Sequence, residues 1–237
     1  MNASDDLLTR TKQMDGARTP EGIRGETEDD SGSAVRKTGI LPSQELEHLV
    51  RVTREILPLE PIQGDQYQPA SLDLRLGPVA YRVRASFLPG RKATVKQKLE
   101  HLEMHKMDIV NGGVLERGCV YIVPLLEGLA LKKRMSAMGN PKSSTGRLDI
   151  FIRLITDYGT EFDRVREGYN GPLYAEVSPR TFSVLVRKGS RLNQIRIRRG
   201  NPPSSDTAMR RLQAEHPVVA SISGDDIRNG VPVTVDV

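Results

Sequence analysis

Hydrophobic and polar residues alternate along several short stretches of this chain, a pattern typical of β-strands. Between residues 68 and 86, leucines at positions 72, 74 and 76 alternate with Asp73 and Arg75, and a second alternating run follows Gly77 and Pro78. Successive side chains of a strand point to opposite faces, so these runs predict two strands joined by a turn, with Asp73 and Arg75 on the polar face. Similar runs predict strands at 114–124, 128–134, 147–156, 172–178, 182–187 and 191–199.

Helical periodicity is confined to three short segments. The first begins near Ser43, a plausible N-cap, and Pro58 ends it. The second lies within 94–107 and the third at 207–215. The predicted apolar faces are Leu46, Leu49, Val50 and Ile56 in the first helix, and Val95, Leu99 and Leu102 in the second. Many short strands with few helices predict a mainly β fold, a sandwich or a barrel.

The same patterns divide the chain into three parts. Residues 1–38 are polar, with almost no apolar periodicity, and are expected to be a disordered extension. Residues 39–200 contain the predicted strands and are expected to form one β domain. Residues 201–237 begin as a Pro/Ser-rich linker and end in the strand-like "VPVTVDV", so we expect the start of a second domain there.

Composition limits the classes of protein to which this chain of 237 residues can belong. No run approaches the roughly 20 apolar residues of a membrane helix, and the N-terminus lacks the pattern of a secretory signal. We therefore expect a cytoplasmic protein without a membrane partner. The single cysteine, Cys119, cannot form an internal disulfide or a cysteine-rich zinc site, and its apolar setting predicts a buried hydrophobic residue.

The formal net charge is +5, and basic residues are concentrated in 186–200. Within that stretch Ile195 and Ile197 alternate with Arg196 and Arg198, as in a strand with one exposed face. Aromatic residues are not interleaved with these arginines, as they are in proteins that stack single-stranded bases. We therefore do not expect a nucleic acid partner.

The segment "NPKSSTGRLDIF", residues 140–151, places hydroxyl and basic side chains between two apolar runs. It is not a Walker loop, because no Gly-Lys-Ser/Thr leads into a helix. One interpretation is a polar loop between strands. The other is an anion site, since polar groups beside a core need partners and a bound anion would be one.

A lone acidic residue, Glu176, lies in the otherwise apolar run "GPLYAEVSP". Strand alternation places Tyr174 and Glu176 on one face of that run. Glu176 is either simply exposed to solvent or, in a dry pocket, a general base. His101 and His105 have the i, i+4 spacing of a helical metal pair, but Leu102 stands where zinc proteases have Glu, so we expect no metal site.

Four segments, 68–77, 140–149, 168–182 and 186–200, together resemble the dCTP deaminase family of the dUTPase-like superfamily. The resemblance implies a mainly β fold, a distorted, jelly-roll-like dUTPase-like barrel with a few short helices. It implies a homotrimer or pseudo-trimer with sites between subunits. It is strongest to the long bacterial form with two domains in tandem, of which this chain would be the first half.

The resemblance also implies roles for individual residues. The expected catalytic residues are Glu176 as general base, with Arg147 and Ser143 stabilising the developing tetrahedral centre. The expected substrate-binding residues are Lys142, Ser143, Ser144, Arg147 and Gln194. Asp73 matches the aspartate of the first motif, where a structural role is equally plausible. The chain departs from the family before the Glu strand, where the usual aspartate is missing and an extra "YGTEFDR" is present.

The implied reaction is hydrolysis of dCTP to dUTP and ammonia. Zinc-dependent nucleobase deaminases require His and Cys ligands that one cysteine cannot supply, so zinc is not expected. Magnesium is expected on the triphosphate. Two alternatives remain open: a dUTP diphosphatase or bifunctional enzyme, with Asp157 as the carboxylate that activates water, and a non-catalytic, nucleotide-binding scaffold half.

Overall fold

The computed structural model describes residues 38–200, 206–219, 226–228 and 230–231. They belong to two compact units whose boundary lies between Gly200 and Asn201. The elements of the first unit, in chain order, are β1 (Gly39–Ile40), α1 (Ser43–Arg51), β2 (Ile56–Pro58), a 3₁₀ turn (Gly64–Gln66), β3 (Tyr67–Gln68), β4 (Ser71–Leu74), β5 (Val79–Val83), α2 (Val95–Leu102), β6 (Glu103–Asp108), β7 (Gly113–Leu115), β8 (Val120–Ala130), β9 (Met135–Pro141), α3 (Ser143–Arg147), β10 (Ile150–Thr156), β11 (Arg164–Val165), β12 (Asn170–Pro179), β13 (Val184–Val186) and β14 (Asn193–Arg199).

The strands of this unit form two larger antiparallel sheets and one small ribbon. Sheet 1 has the order β11-β9-β14-β4-β3, with β1 also paired to β14. Sheet 2 has the order β10-β12-β8-β5-β6, with β2 also paired to β8, and β13 pairs with β7 in the ribbon. The predicted mainly β class is confirmed. The predicted barrel is wrong for the described residues, because the end strands of the two sheets do not pair with each other and the sheets stay open.

The main core contains the inward faces of both sheets. Alternation along the strands supplies it: Leu72 and Leu74 from β4, Val123 and Leu125 from β8, Ala175 and Val177 from β12, and Ile195 and Ile197 from β14. A second, smaller cluster lies on the opposite face of sheet 2, where Ile122, Ile155 and Tyr174 pack with Val95 and Leu99 of α2. Sheet 2 is therefore buried on both faces near the middle of β12, and a polar side chain on either face there is removed from water.

The first helix is shorter than its periodicity predicts. It ends at Arg51, and Pro42 rather than Ser43 is at the N-cap position, with no side-chain capping bond. Ile56, predicted on the helix face, begins β2 instead and pairs with Leu129 of β8. Its side chain is almost fully buried in the main core. Cross-strand pairing and burial of a β-branched residue explain this outcome, since tertiary packing routinely overrides helix propensity.

Two predicted strands are also joined differently in the structure. The run at 114–124 is divided between β7 and the start of β8, and β8 continues through Gly128 to Ala130, so it also takes in the start of the run at 128–134. A side chain at Gly128 would meet the carbonyl oxygen of Gly171 at 3.3 Å, so the glycine permits close approach of β12 rather than a turn. Cys119 lies just before β8 and is only partly buried.

The predicted second helix divides at Leu102. His101 is in α2 and His105 is in β6, both exposed, so they do not share a helical face. Among the described residues no group of three His, Cys, Asp or Glu side chains is placed to hold a metal ion. None of the described helices is long and apolar enough to cross a membrane.

The described part of the second unit contains α4 (Asp206–Glu215), close to the helix predicted at 207–215. The Nη2 atom of Arg210 donates a hydrogen bond to the carbonyl oxygen of Ile227 at 2.8 Å. The predicted extension at 1–38, except Thr38, and the strand predicted at 230–237, except its first two residues, lie outside the described residues. The three-part division of the chain therefore stays a prediction.

Candidate functional site

Three of the four motifs meet in one row across sheet 1. Strand β14 lies between β4 and β9, and Gln194 is opposite Asp73 on one side and Asn140 on the other. The hydroxyl of Ser71 donates a hydrogen bond to Oε1 of Gln194 at 2.6 Å. Segments more than 120 residues apart in sequence therefore form one polar surface, as a shared binding site requires.

Lys142 and Asp73 form an ion pair at this surface. Nζ of Lys142 donates to Oδ2 of Asp73, whose side chain is only 1% exposed, while that of Lys142 is 26% exposed. Asp73 is therefore buried, although it alternates with the core leucines of its strand. A buried carboxylate is costly unless it is paired, so Lys142 compensates Asp73 and also reaches the surface.

Arg75 is the other charged residue that alternates with the leucines of this run. It is buried and forms an ion pair with Glu127 of β8, with Nε of Arg75 at 2.7 Å from Oε1. The backbone N–H of Arg75 donates to the other carboxylate oxygen at 2.7 Å. Burial raises the pKa of Glu127, although the bonds from Arg75 oppose this effect. This pair joins the residue that follows β4 to β8 of sheet 2, two positions from Asp73.

The segment predicted as a polar loop contains a short helix, α3. The N–H of Gly146 donates to the carbonyl oxygen of Lys142 at 3.0 Å, which closes the turn. The side chain of Thr145 is buried and anchors the turn, whereas Ser143, Ser144 and Arg147 are exposed. The exposed hydroxyl and guanidinium groups are thus accessible to a ligand next to Lys142.

Glu176 lies in sheet 2 and is fully buried, with 1% of the residue exposed. It is directly opposite Arg153 in the pairing of β12 with β10. Nε and Nη2 of Arg153 both donate to Oε1 of Glu176, at 3.1 and 2.5 Å. The buried position, rather than the solvent-exposed one, is the correct interpretation of this residue. Burial of the charge is compensated by Arg153.

Arg153 is a site residue that the sequence patterns did not single out. Its guanidinium lies over the ring of Phe162, with Cζ at 3.5 Å from the ring centroid, and at 4.9 Å from that of Phe151. Its Nη2 also donates to the hydroxyl of Ser86 at 2.7 Å. The available signal was a lone arginine inside the apolar run "IFIRLI", the counterpart of a lone glutamate in the paired run.

Glu176 shares its face of β12 with two other buried polar groups. Tyr174 OH, Glu176 Oε2 and Ser178 Oγ are buried atoms that form no hydrogen bond with the described residues. Buried polar atoms nearly always have partners, so such a row on one face of a strand is unusual in a purely structural sheet. Burial strongly raises the pKa of Tyr174, whose hydroxyl therefore stays protonated.

Glu176 is separated from the predicted site residues of α3 in the described structure. Glu176 is three residues along β12 from Pro179, which pairs with Ile150 at the start of β10, just after α3. Three residues of strand span about 10 Å. No hydrogen bond or ion pair joins Glu176 to Ser143, Ser144 or Arg147 in the part of the chain that the structure describes.

Asp157, the candidate carboxylate for the diphosphatase alternative, forms hydrogen bonds that hold parts of the fold together. Its Oδ1 accepts a hydrogen bond from the backbone N–H of Val95, at the start of α2, at 2.7 Å. Its own N–H donates to the hydroxyl of Tyr169 at 3.1 Å. Asp157 therefore links the end of β10 to α2.

Comparison with known proteins supports the resemblance inferred from the motifs. The "dCTP deaminase, dUMP-forming" of Coprothermobacter proteolyticus is 29% identical over 151 residues, which are 61% of this chain and 74% of that protein. The crystal structure of 2'-deoxycytidine 5'-triphosphate deaminase from Agrobacterium tumefaciens is 52% identical, with a TM-score of 0.71. That alignment covers 77% of this chain and 55% of the Agrobacterium chain. This chain thus spans about half the length of that relative.

The family itself follows from the domain comparison. Residues 37–201 match the model of the 2'-deoxycytidine 5'-triphosphate deaminase (DCD) N-terminal domain, a range that includes both sheets and all four motifs. Because this match covers well over half of the chain, the protein belongs to the dCTP deaminase family.

Proposed function

We propose that this protein hydrolyses dCTP to dUTP and ammonia, with Glu176 as the general base. This proposal rests on the buried carboxylate of Glu176, whose Oε1 is held by Arg153 and whose Oε2 has no partner among the described residues. Family membership and the names of the two relatives supply the substrate class. A fixed, buried carboxylate with one available oxygen is suited to accept a proton from a positioned water.

The proposed reaction needs only water as co-reactant. Oε2 of Glu176 takes a proton from water as the water oxygen bonds to C4 of cytosine, and passes this proton to N3. Glu176 then takes the proton of the new C4 hydroxyl and gives it to the amino group, so that the C4–N bond breaks, ammonia leaves and C4 keeps the oxygen as a carbonyl. Positioned acid–base catalysis typically contributes about 10²–10⁴-fold to the rate.

The remaining acceleration is assigned to hydrogen bonds at the reacting centre. We expect Ser143 and Arg147, both exposed on α3, to stabilise the tetrahedral centre, because donors fixed before reaction act strongly where charge develops. Lys142 and Ser144 are expected to bind the triphosphate. Gln194, held by Ser71, is expected to bind the nucleotide beside them.

An assembly of several copies would bring Glu176 and the residues of α3 together. Among the described residues no hydrogen bond or ion pair joins Glu176 to the residues of α3, although the proposed reaction requires them around one base. Large apolar side chains are exposed near α3, including Leu148, 50% exposed, and Phe151, 41% exposed. We therefore propose a homotrimer or pseudo-trimer in which α3 of one subunit completes the site around Glu176 of another.

The magnesium ion belongs to the substrate in this proposal. The described residues offer no carboxylate cluster for a dedicated metal site, which fits an ion carried by the triphosphate oxygens. The positive charges of Lys142 and Arg147 would complement the remaining negative charge of the Mg–dCTP complex. Zinc is not required by the proposed role of Glu176.

A second candidate reaction continues to dUMP and pyrophosphate. The name of the Coprothermobacter relative, dUMP-forming, favours it. Asp157 is a poor candidate for the additional step, because Oδ1 is already bonded to the N–H of Val95. Incubation with Mg–dCTP, followed by separation of nucleotides and assays of ammonia and pyrophosphate, distinguishes the reactions. Ammonia with dUTP supports the first, ammonia with dUMP the second, and intact dCTP a scaffold that only binds.

A further inference from the structure

The extra segment that follows β10 lies against Arg153, the partner of the candidate base. Residues 158–164, "YGTEFDR", interrupt the family pattern before the Glu strand. Tyr158 and Asp163 both have positive φ angles, 59° and 62°. Such angles are uncommon outside glycine and cost free energy, so the surrounding contacts must hold the segment in this shape.

Asp163 supplies those contacts and connects the two sheets. Its N–H donates to the carbonyl oxygen of Leu154 at 2.9 Å, and its carbonyl oxygen accepts from the N–H of Gly139 in β9 at 2.7 Å. Its Oδ1 accepts from the N–H of Leu154 at 2.7 Å. The segment is therefore fixed to β10 at the residue next to Arg153.

Phe162, in this fixed segment, packs against Arg153 and restricts where its guanidinium can lie. Its ring packs with the small core on the outer face of sheet 2 and lies 3.5 Å from Cζ of Arg153. An aromatic face attracts a guanidinium and limits its rotation. Arg153 then reaches Oε1 of Glu176 with two donors and Ser86 with another hydrogen bond.

We propose that residues 158–164 form a positioning element for the candidate base, in which Phe162 holds Arg153 and Arg153 holds Glu176. This inference rests on the proposed function for its catalytic consequence, and it assigns the extra segment and Arg153 to the site. Arg153 binds one carboxylate oxygen and leaves the other for water. Arg153 and Phe162 are positioning residues, because they act through Glu176.

The first test measures the carboxylate itself and does not need activity. The full chain is labelled with [δ-¹³C]glutamate, and the Glu176 resonance is identified by its loss in Glu176→Gln. Phe162→Leu and Arg153→Lys are compared with Glu161→Gln, since Glu161 is an exposed residue of the same segment that pairs with Arg164. We expect the Glu176 resonance to shift or broaden in the first two variants and to stay in place in the third. An unchanged resonance in Phe162→Leu would overturn the proposal.

The second test asks whether the positioning serves catalysis. Since a misplacement of about 1 Å can cost about 10²-fold in rate, we expect Arg153→Ala to lower kcat for ammonia release by about 10²-fold. The KM for dCTP should change by less than about threefold, because the lost interaction acts in the transition state. Added guanidinium should restore part of the kcat of Arg153→Ala but none of that of Glu176→Gln.

The two tests separate failure of this inference from failure of the proposed function. If the wild-type chain releases no ammonia, the deaminase proposal fails, and the resonance of Glu176 still decides whether the segment positions it. If ammonia is released and Arg153→Ala raises KM without lowering kcat, Arg153 binds substrate and the positioning role is overturned. Equal activity of Phe162→Leu and wild type would overturn it as well.

Discussion

Glu176 and Arg153 lie opposite each other on β12 and β10, and Nε and Nη2 of the arginine both donate to one carboxylate oxygen, Oε1. The carboxylate is buried on the outer face of sheet 2, in the residue paired across the strands with Ile122 of the cluster formed with α2. One oxygen is thereby fixed, and the other has no partner in the described part of the chain. This asymmetry distinguishes Glu176 from Glu127, whose two oxygens are both bonded to Arg75.

The Arg75–Glu127 pair should be essential for stability rather than for chemistry. Glu127→Gln leaves the guanidinium of Arg75 buried without a counter-charge, since the two side chains are only 5% and 0% exposed. Breaking such a pair typically costs about 3–5 kcal/mol of the free energy of unfolding. Urea unfolding should show this loss, whereas Glu47→Gln, in the exposed pair with Arg51, should change stability little. Equal effects of the two substitutions would contradict the assignment.

Stability should depend on pH through Asp163. Burial raises the pKa of this carboxyl above its ordinary value of 3.8, although the N–H of Leu154 and the charge of Arg153 oppose the shift. Between 3.8 and the raised pKa the folded protein binds more protons than the unfolded chain. The contribution of Asp163 to stability is therefore greatest below that interval and falls as pH rises through it.

Asp163→Asn removes this contribution to the pH dependence. We expect the melting temperature of the variant, relative to wild type, to rise with pH from about pH 4 towards neutrality, because the variant has no carboxyl to ionise. Thermal unfolding at a series of pH values measures the difference. Two parallel curves, with a constant difference at every pH, would show that Asp163 does not titrate differently in the folded state.

Gly77 should tolerate no side chain. A Cβ at this position would lie 2.6 Å from the backbone carbonyl oxygen of Pro124, which itself accepts the N–H of Gly77. The carbonyl cannot move without breaking the hydrogen bond that joins the segment after β4 to β8, so Gly77→Ala should destabilise the protein by about 1–3 kcal/mol. Gly64→Ala is the matched control, since a Cβ there meets no atom within 4 Å. Similar melting temperatures for the two variants would refute this prediction.

Lys142 has two separable roles, and a double variant distinguishes them. Lys142→Gln should weaken dCTP binding and also destabilise the fold, because Asp73 is left buried and charged. Adding Asp73→Asn should restore most of the stability, since the buried charge is gone, but should leave dCTP binding weak. Calorimetric titration with Mg–dCTP and thermal unfolding measure the two effects. Recovery of dCTP affinity in the double variant would mean that Lys142 only pairs with Asp73.

Local patterns predicted much of this molecule. Alternation correctly indicated the mainly β class and placed Tyr174 and Glu176 on one face of their strand. It also predicted the buried isoleucines of β14 and the short helix at Val95. These features depend on the side-chain period of one element, which the sequence contains directly.

The features that were missed depend on which strands are neighbours. Arg153 faces Glu176, and Arg75 faces Glu127, only because of pairing between distant segments, and a lone charge in an apolar run does not name its partner. The long strand β8 and the replacement of helix by β2 likewise follow from pairing across sheet 2. Closure into a barrel is a property of whole sheets and was wrongly expected.

The most direct test of the account measures ammonia release from Mg–dCTP by the wild-type chain and by Glu176→Gln. Glutamine keeps the size of the side chain but cannot take a proton from water, so both proteins should bind dCTP in calorimetric titration. We predict that only the wild type releases ammonia at a measurable rate. Equal release by both proteins would contradict the assignment of Glu176 as the base.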